Sequence, residues 1–301
     1  HLVDPALHVW SWQIPVYLFL GGLVAGMMVL MGVSLWRGRP ERGSVAHRFP
    51  LLALSAISLG MLALFLDLEH QAYVARLYVT VEPTSPMSWG AWILLLVYPI
   101  LLAELAIDPP EAWRVRVPWL ARLGAWIAAS RTRLRNLGTA SLLVGIALGL
   151  YTGVLLSSLG ARPFWSNGLL APLFLVSGLS SGAALGHLLS EVPAERRQLM
   201  KVDTMLLAAE LALLLLFVIS LSSAGTAARG AADLVLGGPL TAIFWVVVCA
   251  IGVIFPLLVQ SLAIAGRIGH APLAPIVVML GGLALRAVFV LAGQLSHWKP
   301  L

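Results

Sequence analysis

The sequence predicts an all-α integral membrane protein: eight transmembrane helices, arranged as two four-helix bundles within one membrane domain, with both termini on the outer side. Three observations lead there. Of 301 residues, 60% are hydrophobic and only 11% charged, with a mean hydropathy of +0.94, whereas soluble domains carry roughly 25% charged residues. The apolar residues gather into eight runs of the roughly 20 residues that a helix needs to cross a bilayer. The basic residues alternate in density from one connection to the next.

The runs lie near 13–36, 50–70, 88–106, 136–159, 168–190, 203–223, 240–264 and 273–294, and leave no room for a soluble domain. No charged stretch with a short apolar core precedes Trp10, so no signal peptide is expected. The longest connection, 107–135, holds Pro109, Pro110, Trp113, Trp119 and Trp126 among arginines, which predicts an amphipathic segment lying in the membrane interface. A net charge of +6 would suit nucleic acid, but 14 of the 19 Lys and Arg fall in the first, third, fifth and seventh connections. They are topology signals rather than a nucleic-acid surface. The other side carries Arg76, Arg162, Arg229 and Lys299, so the positive-inside rule places both termini outside, in a periplasm if the source is bacterial.

The first run reads Leu18-Phe19-Leu20 followed by Gly22 and Gly26, and the fifth reads Leu173-Phe174-Leu175 followed by Gly178 and Gly182. Both descend from the outer side, each has a proline upstream (Pro15 and Pro172), and each spaces its glycines as close helix packing in lipid requires. Two similar halves, 1–159 and 160–301, would explain the echo. Small residues four apart are also frequent in membrane helices generally.

Charged side chains inside a bilayer cost roughly 2.5–3.5 kcal/mol each at the helix centre, so each one calls for a reason. The second run ends Asp67-Leu68-Glu69-His70, which on a continued helix sets Asp67 and His70 on one face at the outer surface. At the same depth lie Gln13 and Tyr17 of the first run, Trp89 of the third and Tyr151 of the fourth. Together they predict a polar, aromatic outer pocket, although single Trp and Tyr residues also form the interfacial belt. A quinone headgroup fits such a place: apolar walls for ring and tail, hydrogen-bonding groups for its two oxygens, and side chains such as Asp67, Glu69 and His70 that exchange protons. Deeper in, Glu104, His187, Glu210 and Arg286 interrupt apolar sequence. Arg286 is expected either in a structural salt bridge with Glu210, Glu104 or Asp67 or in a proton relay from the inner side.

Haem is not expected. His70 and His187 sit about 28 Å apart in depth at ~1.5 Å per residue, too far to share one iron. Cys249 is the single cysteine, so an iron-sulfur cluster held by cysteines of this protein is excluded, and no metal site is expected.

The ordered stretches YLFLGGLVAG at 17–26, LDLEHQ at 66–71, SPMSWGAWI at 85–93, YTGVLLS at 151–157, RPFW at 162–165 and SGLSSGAAL at 177–185 resemble the NrfD/PsrC family, the membrane subunits of the polysulfide reductase type. The resemblance covers most of the chain. It implies a haem-free subunit of the bacterial inner membrane that binds menaquinone or ubiquinone. Such a subunit exchanges electrons with a ferredoxin-like iron-sulfur subunit, itself joined to a molybdopterin or other catalytic subunit. It also implies a quinone pocket on the side where that subunit docks, mapping here to Gln13, Tyr17, Asp67, His70 and Tyr151. A family asparagine near the start of the first helix is replaced by Gln13. Two other classes fit parts of the pattern: a secondary transporter, which would need paired helix breaks in the two halves, and a purely structural membrane anchor.

Overall fold

Hydropathy dominates the architecture. In the computed structural model, which describes residues 10–38, 43–68, 82, 84–160, 162–269 and 272–298, every long apolar run is helical, and there is no strand among the described residues. In lipid only a helix satisfies its own backbone groups within one segment. The helices are α1 (Gln13–Arg37), α2 (Phe49–Asp67), α3 (Pro86–Ile107), α4 (Glu111–Arg116), α5 (Pro118–Ala128), α6 (Arg131–Ser157), α7 (Leu170–Leu189), α8 (Pro193–Ser223), α9 (Gly225–Leu236), α10 (Ile243–Ile264) and α11 (Leu273–Leu295). Eight of them, α1–α3, α6–α8, α10 and α11, are long and apolar enough to cross a membrane.

α1 and α7 are central. In their apolar windows 67% and 61% of residues are buried, against 33–56% in the other six. α1 packs on α2, α6, α7 and α11, and α7 packs on α1, α6, α8 and α11. The outer helices turn large apolar side chains outward, such as Leu62, Leu96, Ile219 and Leu280, all more than half exposed. In water that would be an aggregating surface; in a bilayer it is the lipid face.

The α1–α7 contact is made by the echoed glycines. A Cβ on Gly26 would lie 2.4 Å from the Gly178 carbonyl oxygen, and one on Gly182 would lie 2.7 Å from the Gly26 carbonyl carbon. No other residue leaves the two backbones room to touch.

Several boundaries differ from those read in the sequence. α2 stops at Asp67, because Leu68 is extended (φ −73°, ψ 122°). Glu69 and His70, expected to continue that helix, lie outside the described residues. α8 starts at Pro193, with Pro in its first turn, and not at Asp203. The charged stretch Glu195–Lys201 is thus helical, and Asp203 lies well inside α8. The 107–135 connection contains α4 and α5. Leu120, Gly124 and Ile127 of α5 are buried while Trp119 and Trp126 are exposed, the one-sided pattern of an interfacial helix. A further amphipathic helix, α9, buries Ala228, Ala231, Ala232 and Val235; the apolar runs give no sign of it. Pro99 sits inside an unbroken α3. In α10 the residues up to Ile254 are wound as a π-helix and the α-form resumes at Phe255, where Pro256 occupies the first turn and needs no intrahelical N–H partner.

Candidate functional site

Two polar constellations meet at α1. The first occupies the end of the bundle where α1 starts, α2 stops, α3 starts and α6 stops. Gln13 begins α1, and its Oε1 is buried with no hydrogen-bond partner among the described residues. A buried amide oxygen left without a partner costs roughly 1–3 kcal/mol. One turn on, Tyr17 is 3% exposed and lies against α2, where a Cβ on Gly60 would be 3.7 Å from its ring. Tyr151 of α6 is 6% exposed and lies over Gly90 of α3, where a Cβ would be 2.0 Å from its hydroxyl. Gly90 is therefore the notch that admits Tyr151. Asp67 is partly buried at the last position of α2. Trp89 is 49% exposed, so most of its ring lies outside the packed interior. Ahead of α3, the Glu82 backbone N–H donates to Ser88 Oγ (3.3 Å), and hydrogen bonds from Thr84 hold the Glu82 carboxyl below its ordinary range.

Arg162, Phe164 and Trp165 close the same end of the second half. Arg162 is 1% exposed and donates to the Ser296 carbonyl (2.8 Å), just past the end of α11. Trp165 donates to the Phe289 carbonyl (2.8 Å) and lies on Gly293, while Gln294 clamps the backbone of Trp10 through two hydrogen bonds of 3.0 Å. Trp165 also packs on Trp10, with ring centres 5.1 Å apart, so these contacts tie the end of α11 to the residues just ahead of Gln13.

The second constellation lies in mid-membrane. Arg286 of α11 is fully buried, and its guanidinium meets three helices at once. Nε donates to the Leu18 carbonyl (3.1 Å), Nη1 to Ser177 Oγ (3.1 Å) and to Gly282 O (2.8 Å), and Nη2 to Phe174 O (3.2 Å). Phe174 and Phe19 flank it, with ring centres 5.1 and 5.8 Å away. Gly22 provides the space, since a Cβ there would lie 2.5 Å from Nη2. The salt bridge expected for Arg286 is not found. The ion pairs among the described residues are His47–Asp108, Arg48–Glu191 and Arg114–Asp108, all in the connections. Glu210 of α8 reaches Arg286 through Ser177, whose hydroxyl both groups share. A five-donor planar cation is better satisfied by carbonyls around its fork than by one carboxylate.

Two turns from Glu210 on the same face of α8 stands Asp203, fully buried. Ser180 donates to its Oδ1 (2.6 Å) and Gln260 of α10 to its Oδ2 (2.6 Å). Sequence reasoning misses Asp203. Its spacing from Glu210 is visible, but a span begun at Asp203 makes it a boundary residue. Two hydrogen-bonded groups of buried polar side chains thus stand about one turn of α7 apart: Gln260, Asp203 and Ser180, and then Ser177, Glu210 and Arg286, which donates to the carbonyl of Leu18. Glu104 stands apart on α3, 2% exposed and beside Ser141 of α6. Its two oxygens have no hydrogen-bond partner among the described residues, and Ser141 donates to Met28 O (2.9 Å). His187 is buried (1%) in the last turn of α7.

The fold and these sites define a multi-pass membrane protein that keeps a row of buried ionisable groups inside its bundle and buries two tyrosines toward one end. The chain belongs to the family "Polysulphide reductase, NrfD", whose model matches residues 3–297. It is 31% identical to the protein NrfD of Escherichia coli over 305 residues (96% of both chains), and 31% identical to a polysulfide reductase chain of Wolinella succinogenes over 310 residues (95% of this chain, 94% of the relative). It is 23% identical to a selenate reductase subunit of Mesobacillus selenatarsenatis over 329 residues (97% of this chain, 76% of the relative).

Proposed function

We propose that this chain is the quinone-reactive membrane subunit of a reductase complex, resident in a bacterial inner membrane with both termini outside. The observation that carries this reading is the buried row from Asp203 to Arg286 that reaches the Leu18 carbonyl of α1, within two turns of Gln13, whose Oε1 is buried with no hydrogen-bond partner among the described residues. The names of the relatives, which are parts of a polysulfide reductase and of a selenate reductase, support membership in such a complex. The basic connections support the orientation. The contacts of α1, α2, α3 and α6 with one another, and of α7, α8, α10 and α11 with one another, support two four-helix halves joined at the α1–α7 glycines.

The quinone is the substrate; its interconversion with the quinol moves two electrons and two protons. Gln13 offers an acceptor to a quinol hydroxyl, and its amide N–H₂ offers a donor to a quinone oxygen. Tyr17 and Tyr151 form the walls, Asp67 with Glu69 and His70 exchanges protons with the outer side, and Trp89 marks the rim. Electrons pass to or from a ferredoxin-like iron-sulfur subunit docked on that end and coupled to a molybdopterin or other catalytic subunit. On the inner side Glu104 and His187 stand nearest the entrance, and Asp203 and Glu210 carry protons toward the Tyr17 end, with Arg286 as the fixed cation of the path.

In the complex purified with its partner subunits, Gln13→Leu should raise the quinol KM about tenfold, since a lost buried hydrogen bond costs roughly 1.5 kcal/mol. Tyr151→Phe should lower turnover while the subunits still copurify. Unchanged quinol kinetics in both variants would rule out the pocket. Asp203→Asn should cut turnover about a hundredfold, the low end for a group that relays protons, with assembly on a native gel unchanged. Turnover equal to the parent would remove Asp203 from the relay.

A further inference from the structure

A crevice of about 560 Å³ opens between the last turns of α1 and the first turns of α8, with Phe49 of α2 in its floor. Its volume lies within the roughly 300–1,000 Å³ of ligand pockets. From α1 it takes Val29, Val33 and Arg37, each four residues from the next and so on one helix face; from α8 it takes Gln198, Leu199 and Val202. The two faces share one gradient. Val29 and Val202 lie toward the membrane interior, while Arg37 and Gln198 stand where the helices leave the apolar run.

Among the described residues the rim carries one cation, Arg37, and one carboxylate, Glu195. Arg37 Nη1 donates to Gln198 Oε1 (3.3 Å), and Arg37 is in no ion pair among the described residues. Glu195 also borders the crevice, but its carboxylate is committed to the loop. Its Oε1 accepts from Ser44 Oγ (2.7 Å), and its Oε2 accepts from the Val45 N–H (3.1 Å) and from Ser190 Oγ (2.5 Å). What is offered to a ligand is a guanidinium over an apolar slot about 12 Å deep, at ~1.5 Å of rise per residue from Val29 to Arg37.

We propose that this crevice binds one anionic phospholipid of the inner leaflet, its phosphate on Arg37 and one acyl chain along Val33, Leu199 and Val202. The guanidinium fork suits phosphate oxygens in pairs, and the slot suits a hydrocarbon chain. A quinone has a neutral head and gains nothing from a permanent cation at the headgroup level. The placement in the inner leaflet rests on the proposed orientation; the crevice and its charge do not.

The test uses the full chain in mild detergent and native mass spectrometry, with dioleoylphosphatidylglycerol and dioleoylphosphatidylcholine titrated separately. Phosphatidylglycerol should form one adduct of higher affinity than phosphatidylcholine does. Arg37→Gln should weaken that adduct about fivefold, the roughly 1 kcal/mol that one basic side chain contributes near anionic lipid, and leave phosphatidylcholine unaffected. Val33→Trp, which fills the slot and keeps Arg37, should abolish the adduct, while Arg229→Gln at the opposite end should not change it. Equal binding of the two lipids, or an unchanged adduct in both crevice variants, would overturn the proposal. So would a quinone recovered in the adduct's place. Labelling Arg197→Cys from one side of sealed vesicles reads the orientation independently: label entering only from outside would reverse the leaflet and leave the site.

Discussion

Arg286→Leu should abolish quinol-linked turnover, by a hundredfold or more, and should lower the thermal stability of the detergent-solubilised chain. Arg286 is the point where α11, α7 and α1 are bonded together, through Gly282 O, Ser177 Oγ with Phe174 O, and Leu18 O. Removing the guanidinium leaves Glu210 buried near no cation, and stranding one member of a buried charged group costs roughly 3–5 kcal/mol. A second substitution separates structure from function. In Arg286→Leu with Glu210→Gln the stranded charge is gone, so the melting temperature should recover most of its loss, while turnover should stay low because two members of the row are missing. If the double variant regains turnover along with stability, Arg286 is a packing device and the row carries no protons. Arg286→Lys should fall between, since one ammonium cannot reach all the acceptors that a planar fork serves.

The spans are legible because hydropathy in a bilayer is a strong constraint: nothing but a helix accounts for runs such as 13–36 or 273–294. What is not legible is everything decided by how helices meet. The glycine echo between Gly22/Gly26 and Gly178/Gly182 is plain in the sequence, yet only the fold reveals that the two copies lie against each other. Arg286 stands out as a charge in apolar sequence, but its partners are chiefly backbone carbonyls, which any sequence supplies everywhere and which therefore leave no signal. Asp203 is lost because hydropathy trims a span at its first charged residue, whereas α8 continues ten residues further, through Glu195, Arg196, Arg197 and Lys201, to Pro193. α9 escapes because small alanines, not large apolar residues, make its buried face. At the Gln13 end the polar and aromatic residue types stand out in the sequence, but the notch at Gly90 that seats Tyr151 has no signature beyond one more glycine in a membrane helix.

The α1–α7 crossing carries the second large effect. Gly26→Val should prevent most of the chain from accumulating as a monodisperse species, as read by fluorescence-detected size exclusion of a tagged protein. Its Cβ alone would lie 2.4 Å from the Gly178 oxygen and 3.0 Å from the Gly182 Cα, contacts with backbone that has no rotamer to give. Overpacking typically costs roughly 1–3 kcal/mol where side chains can move aside, and here the helices themselves must part. Parting them also draws Leu18 O away from Arg286, since both contacts lie on the same stretch of α1 and α7. Gly22→Ala makes a milder demand, because the nearest atom, at 2.5 Å, is the tip of the Arg286 side chain, with the Gly178 Cα at 3.4 Å. That variant should fold, yet turn over more slowly as the guanidinium is pushed off Leu18. Gly168→Ala and Gly230→Ala meet nothing within 4 Å and should behave as the parent. If Gly26→Val accumulates and melts like Gly168→Ala, the two central helices are not in backbone contact. The route from Glu210 through Arg286 to the Tyr17 end would then lose its physical basis, because that route exists only where α1 and α7 touch.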